Sequence, residues 1–381
     1  MAAPFYLDNA ASTRLHPEVL EAALPFLRDC YGNPSSLHPL GMQARRVVKG
    51  ARETLARLLG APPQAVTFTA GGTESCNLAL QGAFASARLK GQRLLVSAIE
   101  HPAVLETAQR LAATGVDVRR IPVTAGGIVD LAALEALLDG DVRVVSVMAL
   151  NNELGTAQPI EAIGRLLARV APRTVFHVDA VQAFTKLPVN WRAAGVHLLS
   201  LSGHKVHGPK GVGALVRLRP VPLEPLIAGG GQEGGLRSGT ENVFGIVALG
   251  HAAQRTTALH AAQREQRCGY ADAWLTELAG QPRVEVFRSE AATPFIISFS
   301  LEPIPGEVIL HHLEQEGLYV STGSACASAK PEPSHVLLAA GLSERRALSS
   351  IRLSFSVFNT LDELPAVLPA FRRAMERLQR L

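Results

Sequence analysis

Aromatic residues are scarce in this sequence, and charge of one sign is not concentrated anywhere along it. Phe, Trp and Tyr make up 5% of the 381 residues, so a core would be built mainly from Ala, Leu and Val. The net charge is +4, and basic residues cluster no more densely than in pairs such as Arg45-Arg46 and Arg345-Arg346. The sequence therefore gives little support to dedicated nucleic-acid binding.

Long hydrophobic segments and paired cysteines are also missing. No apolar run approaches the roughly 18 residues that a membrane-spanning helix needs. Residues 1–12 lack the basic flank and apolar stretch of a signal peptide, so we expect a cytoplasmic protein. The cysteines form no C-x-x-C pair, which argues against a disulfide framework and a cysteine-built zinc site, and we predict no metal site: Cys30, Cys76, Cys268 and Cys326.

What the sequence does contain is a regular alternation of short β-branched runs with Ala/Leu-rich stretches. This alternation is typical of an α/β fold with a mostly parallel sheet flanked by helices. Strands are predicted at residues 65–69, 93–98, 144–150 and 174–180. Crossover helices are predicted at residues 73–89, 101–113, 130–138 and 159–170.

The chain is longer than one average domain, and its composition changes after residue 216 to Pro and Gly. A long helical pattern follows at 242–278, and we place a domain boundary inside it, near residue 255. We therefore expect a large domain at 15–255 and a small α/β domain formed by residues 1–14 and 256–381.

Lys205 lies among small and hydroxyl residues directly after an apolar strand, in the segment SLSGHKVHGPKG at 200–211. Buried lysine is rare without a partner, and a Schiff base with a carbonyl cofactor is one explanation for it. The other explanation is an ordinary exposed loop lysine beside Lys210. The segment alone leaves both open.

Asp179, in VFHVDAVQ, is predicted at the carboxyl end of a strand, where ligands bind in open α/β sheets. It precedes Lys205 by 26 residues. A strand-end carboxylate and a Schiff-base lysine are the two anchors of pyridoxal phosphate, because the carboxylate keeps the pyridine nitrogen protonated. A lone aspartate at this position could equally cap a helix or bind a metal.

The segment TAGGTES at 69–75 has the form of a phosphate cradle between a strand and a helix. Its glycines permit close backbone approach, and a helix N-terminus favours an anion. Neither G-x-G-x-x-G nor G-x-x-x-x-G-K-[ST] occurs, which disfavours dinucleotide and P-loop interpretations. In the alternative interpretation, Thr73 only caps the helix and Glu74 complements its dipole.

The segment STGSACASAKPEPS at 321–334 is predicted to be a mobile functional loop that carries Cys326. A sulfur acceptor must reach a buried site, become a thiolate and present its sulfur to a partner, and a loop of small residues permits all three. Cys76 is predicted to pack in the core. Cys30 and Cys268 are expected to be ordinary scaffold or surface thiols.

At these residues the chain resembles the cysteine desulfurases of the class V aminotransferase family, which are pyridoxal-phosphate enzymes of fold type I. The resemblance runs in order from Tyr6 to Thr360 and belongs to the group with a long mobile loop. The segments that carry it are YLDNAAST, GNPSSLH, TAGGTESCN, EHPAV, NNELGTAQP, HVDAVQ, SGHKVHGPKG, GGGQEGGLRSGTEN, STGSACAS and IRLSFSVFNT.

The resemblance implies pyridoxal 5'-phosphate as cofactor, bound covalently by Lys205, with Asp179 at the pyridinium nitrogen. It implies that His101 stacks on the cofactor ring and transfers protons. It also implies a homodimer, because Thr240 would reach the phosphate from a second subunit. The remaining implied cofactor contacts are Gln182 at the ring oxygen and Gly72, Thr73, Ser202 and His204 at the phosphate.

For the reaction, the resemblance implies that L-cysteine is converted to L-alanine. Asn152 and Arg352 would bind the substrate carboxylate, with Asn152 also near the cofactor, and Cys326 would take the sulfur and carry it as a persulfide. The persulfide would supply an acceptor protein, such as an iron–sulfur scaffold or a thiolation partner.

One departure from the family pattern lies after Arg352. Ser356-Val357 stands where the family usually has a Gly-Arg pair, which leaves open any role of the arginine in that pair. Alternative functions are an aminotransferase or selenocysteine lyase on the same fold, for which Cys326 would be dispensable. A non-catalytic thiol carrier with a vestigial cofactor site is a third.

Overall fold

The structure is a computed structural model that describes residues 4–322 and 332–380. Cys326 and most of the predicted loop therefore lie outside the described residues. The N-terminal part begins with a short strand and continues into three helices: β1 (Phe5–Tyr6), α1 (Pro17–Ala23), α2 (Pro25–Arg28) and α3 (Pro39–Leu59).

A seven-stranded sheet forms the centre of the larger half, in the order β2-β8-β7-β6-β5-β3-β4. Only β8 runs antiparallel to its neighbours, so the predicted mostly parallel sheet is confirmed. Its strands are β2 (Val66–Thr69), β3 (Arg93–Ser97), β4 (Asp117–Ile121), β5 (Val142–Met148), β6 (Val175–Asp179), β7 (Leu198–Ser202) and β8 (Gly213–Arg217).

Helices flank this sheet at the predicted crossover positions. In α5, His101 is the N-cap and Pro102 occupies the first turn, and Asp130 caps α6 by accepting two backbone N–H groups. Such caps satisfy N–H groups that have no partner inside the helix. The helices are α4 (Gly72–Ala85), α5 (Pro102–Ala113), α6 (Leu131–Leu137) and α7 (Ile160–Val170).

The long helical pattern at 242–278 consists of two helices, α8 (Val243–Ala262) and α9 (Arg264–Ala279), which meet at Gln263. Helix α8 packs into the core of the seven-stranded sheet. Helix α9 contributes Tyr270 and Trp274 to a second core. We propose that the domains divide at this break rather than near residue 255.

The second core is formed around a four-stranded antiparallel sheet in the order β12-β13-β10-β9. Strand β1 pairs in parallel with β11, and Leu7 is buried in the same core, so the N-terminal strand packs with the C-terminal part. The elements are β9 (Val284–Phe287), β10 (Ile296–Leu301), α10 (Gly306–Gln315), β11 (Leu318–Tyr319), β12 (Ser321–Thr322), α11 (His335–Ala339), α12 (Glu344–Leu348), β13 (Ser350–Ser354) and α13 (Leu364–Leu378).

Among residues 4–322 and 332–380, no helix has both the length and the hydropathy of a membrane span.

Candidate active site

A cavity of about 490 Å³ opens at the carboxyl ends of β5, β6 and β7 and is lined by residues from both halves of the chain. This is the edge at which open parallel sheets bind ligands. Thr240 is exposed and does not line it. Ten residues singled out from the sequence do line it: Gly72, Thr73, His101, Asn152, Asp179, Gln182, Ser202, His204, Lys205 and Arg352.

Lys205 reaches this cavity because β7 ends at Ser202 and one 3-10 turn, Gly203–Lys205, follows directly. Its Nζ donates to the carbonyl oxygens of Ala10 and Ala11, at 2.8 Å in the case of Ala11. Lys205 is half-buried, whereas Lys210 is exposed. The interpretation of Lys205 as an ordinary exposed loop residue is therefore wrong.

Asp179 ends β6 and is only 5% exposed. Its Oδ1 accepts the backbone N–H of Val181 at 2.9 Å. Burial raises the pKa of Asp179, and the neighbouring His101 and Lys205 oppose that rise. A buried carboxylate of this kind is stabilised by a cationic partner on its cavity side.

His101 holds a defined tautomer because it caps helix α5. Its Nδ1 accepts the backbone N–H of Ala103 at 3.0 Å, so the proton of the neutral ring is on Nε2. Burial lowers the pKa of His101, nearby Lys205 and His335 lower it further, and Asp179 raises it. At neutral pH the ring therefore offers the cavity an uncharged N–H donor.

The N-terminus of α4 has no side-chain cap. Gly71 is the N-cap residue and makes no side-chain hydrogen bond, while Thr73 lies in the first turn. The interpretation of Thr73 as the helix cap is therefore wrong. At Gly72 a Cβ would come within 2.6 Å of Val181 Cγ2, so glycine permits the close packing of this turn.

Ser202 and His204 line the same cavity as this helix end. Burial, followed by Lys205 and Lys210, lowers the pKa of His204 to about 4, so the ring is neutral at pH 7. Free N–H groups, a helix dipole and neutral polar side chains together suit a phosphate.

Arg352 is held on β13 with its guanidinium oriented from two sides. Its Nη2 pairs with Asp8 Oδ1 at 2.7 Å and its Nη1 donates to the carbonyl oxygen of Asn152 at 3.0 Å. Its Nε is buried without a hydrogen-bond partner among the described residues. A guanidinium held in a fixed orientation at the edge of this cavity suits a carboxylate ligand.

Sequence reasoning assigned no role to several residues that line the cavity. Ala10 acts through its backbone carbonyl, which carries no side-chain signal, although it lies in the YLDNAAST segment. Glu153 lies in the NNELGTAQP segment; burial raises its pKa to about 7, and Ser334 Oγ donates to it at 2.5 Å. Both segments had been singled out, so only the individual residues were missed.

Pyridoxal phosphate fits this arrangement. A buried carboxylate, a lysine and an uncapped helix N-terminus are separate features of one cavity, and they match the pyridine nitrogen, aldehyde and phosphate of the cofactor. No group of three or more His, Cys, Asp or Glu side chains suited to a metal occurs in residues 4–322 and 332–380.

Comparisons with known proteins point the same way. Residues 5–367 match the aminotransferase class-V family model. A cysteine desulfurase IscS from Dictyoglomus turgidum is 40% identical over 378 residues, which cover 98% of this chain and 95% of that protein.

Among solved structures, a NifS-like protein has a TM-score of 0.92 and 37% identity, covering 99% of this chain and 100% of its own. A second structure, SspA in complex with cysteine, has a TM-score of 0.81 and 36% identity, covering 93% of this chain and 100% of its own.

Proposed function

This chain belongs to the class-V aminotransferase family, and from that premise we infer that it is a pyridoxal-phosphate-dependent cysteine desulfurase. The family, fold class and cofactor predicted from the sequence are confirmed by these comparisons. The observation that carries the assignment to this cavity is the placement of Lys205, Asp179 and Arg352 around one space of cofactor size.

The overall reaction balances without a further reductant or oxidant. L-Cysteine and an enzyme thiol give L-alanine and an enzyme persulfide: the Cβ–S bond of the substrate breaks, an S–S bond forms, and the thiol proton is accounted for in the new Cβ–H of alanine. We propose Cys326 as the thiol. It lies outside the described residues, so its role rests on the sequence resemblance.

The bound cofactor supplies an electron sink for the bonds that break at the substrate. We propose that Asp179 keeps the pyridine nitrogen of the cofactor protonated and that Lys205 binds its aldehyde. Ser202, His204 and the first turn of α4 hold the phosphate. These residues fix the cofactor relative to the sheet edge.

We propose that Asp179→Asn binds the cofactor but turns over slowly, because an amide does not keep the pyridine nitrogen protonated. Breaking a buried ion pair costs about 3–5 kcal/mol, so the rate should fall by about 10²- to 10⁴-fold. Cofactor occupancy measured by absorbance, together with the rate of alanine formation, tests this. A wild-type rate would mean that the pyridinium partner lies elsewhere.

Arg352 and Asn152 are proposed to bind the substrate carboxylate. Asp8 keeps the guanidinium of Arg352 in place, since the two groups are 2.7 Å apart and Arg352 is only 4% exposed. A guanidinium fixed at this point should select substrates with an α-carboxylate. Because it holds the carboxylate, it should leave the substrate side chain directed away from Arg352.

His101 is proposed to stack on the cofactor and to transfer protons. Because Nδ1 is engaged with the N–H of Ala103, the ring acts first as a donor through Nε2. To accept the proton of the Cys326 thiol, the ring takes it on Nδ1 in exchange for the hydrogen bond from Ala103, which gives an imidazolium that can then return a proton.

We propose a homodimer in which Thr240 contacts the cofactor phosphate of the partner subunit. Thr240 is exposed and absent from the cavity of its own chain. Exposed apolar side chains on the N-terminal segment offer a surface for a second copy, including Tyr31 at 78% and Leu37 at 84% exposure.

Thr240→Ala should weaken cofactor binding by about two- to tenfold, as expected from the loss of one hydrogen bond. Equilibrium titration with pyridoxal phosphate measures the effect, and sedimentation gives the mass of the assembly against 40.4 kDa for one chain. A monomer with wild-type affinity would contradict the shared site.

Incubation of the holoenzyme with L-cysteine, with alanine and persulfide measured together, tests the proposed function. An aminotransferase would instead give a 2-oxo acid, and a selenocysteine lyase would not need Cys326. We further propose that the persulfide supplies a sulfur-acceptor protein such as an iron–sulfur scaffold.

A further inference from the structure

Gln182, which lines the cavity, is held by hydrogen bonds at both ends of its amide. Its Nε2 donates to the carbonyl oxygen of Ala10 at 2.7 Å, and its Oε1 accepts from Lys186 Nζ at 3.0 Å. The Ala10 carbonyl also accepts from Lys205 Nζ. Lys186 is thus linked to the lysine of the site through three hydrogen bonds, two of which share the Ala10 carbonyl.

Lys186 in its ammonium form and the Ala10 carbonyl together fix which end of the Gln182 amide faces Ala10. An ammonium group has only donors and a carbonyl has only acceptors, so these two neighbours permit a single orientation of the amide. In that orientation Nε2 has a second hydrogen left for an acceptor in the cavity. In the flipped orientation, oxygen would face oxygen at Ala10 and nitrogen would face nitrogen at Lys186.

The backbone beside Lys186 is built to hold it there. Thr185 has a φ of 69°, a left-handed conformation that is uncommon for a residue other than glycine, Asn or Asp. The Thr185 carbonyl accepts from His260 Nδ1 at 3.0 Å, and His260 is buried on α8. A costly conformation persists where its surroundings fix it.

The side chains around Lys186 are cationic or aromatic and not acidic. Its Nζ lies 5.6 Å from the centroid of Phe295, over which the Arg267 guanidinium also lies at 4.5 Å. No acidic side chain pairs with Lys186 in the described part of the chain. Burial, then Lys205, Arg267 and Arg352, lowers the pKa of Lys186 to about 7. An ammonium here stabilises no carboxylate, and its hydrogen bond is directed to the amide.

We propose that Lys186 is a positioning residue that orients the Gln182 amide toward the cofactor. The identity of the cofactor rests on the proposed function. Lys186 itself touches neither cofactor nor substrate in this account, and its effect is transmitted through Gln182.

A double-mutant cycle tests this directly. Apo-protein of the wild type, Lys186→Met, Gln182→Ala and the double variant is titrated with pyridoxal phosphate, and both the dissociation constant and the position of the visible absorption band are recorded. Each single change should weaken binding by about tenfold, the scale of one hydrogen bond to a charged group. Because Lys186 acts through Gln182, the double variant should bind no more weakly than Gln182→Ala alone, with the same band position.

Lys49→Met is the matched control, since the Lys49 side chain is 74% exposed and its one ion pair among the described residues is with Glu53 on the same helix. It should leave both readouts unchanged. Lys186→Ala, which cannot overpack the site, replaces Lys186→Met if the latter yields no folded protein. Additive effects of the two changes, or unchanged binding in the Lys186 variants, would overturn the proposal.

The cycle uses no cysteine, so it is independent of the desulfurase reaction. Wild-type protein that binds pyridoxal phosphate but forms no alanine would contradict the proposed function, while the cycle would still decide the role of Lys186. Wild-type protein that binds no pyridoxal phosphate would overturn both.

Discussion

Lys205→Ala is expected to lose the covalent link to pyridoxal phosphate and all turnover with L-cysteine. Lys205 is the lysine that lines the cavity in the described part of the chain, at the end of β7 and on the same sheet edge as Asp179. Lys186 does not line the cavity, and its Nζ donates to the amide oxygen of Gln182. Absorbance of the purified variant and borohydride reduction measure the link, and alanine formation measures turnover.

Lys210→Ala is the control for this experiment, because Lys210 is exposed and only one short loop away. It should keep the visible absorption and a rate close to that of the wild type. A Lys205→Ala protein that still shows a reducible, visibly absorbing cofactor would refute the assignment of the lysine.

Cys326→Ala is expected to bind L-cysteine and change the visible spectrum, yet form no persulfide. Binding depends on Lys205 and Arg352, whereas sulfur transfer needs a thiolate. With a reference pKa of about 8.5, only a few per cent of an unperturbed thiol is ionised at pH 7, so a nearby proton acceptor such as His101 should assist. Spectra recorded on mixing, followed by persulfide labelling, separate the two steps.

Cys268→Ala serves as the matched control, because Cys268 is a free, half-buried cysteine on α9, away from the cavity lining. It should form persulfide at the wild-type level. If Cys326→Ala made alanine and sulfide at the wild-type rate without added thiol, the cysteine mechanism would be wrong and a lyase reaction would replace it.

The strands that were predicted from sequence are those buried on both faces, such as β5, in which every residue is buried. Strand β4 was missed because DVRRI, at the sheet edge, is mostly charged and leaves two residues exposed, so it has no apolar run. The break at Gln263 was missed because neither Gly nor Pro marks it and both flanking helices are rich in helix-forming residues.

The sequence predicts the parts of the candidate site that depend on side chains at strand and helix ends. It does not predict the parts that depend on a backbone carbonyl or on the tautomer of a histidine. Lys205, Asp179 and Gly72 stand at strand and helix ends that the local pattern identifies. The carbonyl of Ala10 and the cap formed by His101 Nδ1 depend on segments brought together by the fold. Lys186 also carries no local signal, because its proposed role is to orient the Gln182 amide, through a contact that only the fold reveals.

The most direct measurement is a single-turnover incubation of the holoenzyme with L-cysteine in which alanine and protein-bound persulfide are quantified together. The account predicts one alanine for each persulfide, with the persulfide mapped by mass spectrometry to the peptide that contains Cys326. A holoenzyme that forms no alanine from L-cysteine, or that forms alanine with no persulfide on Cys326, would contradict it.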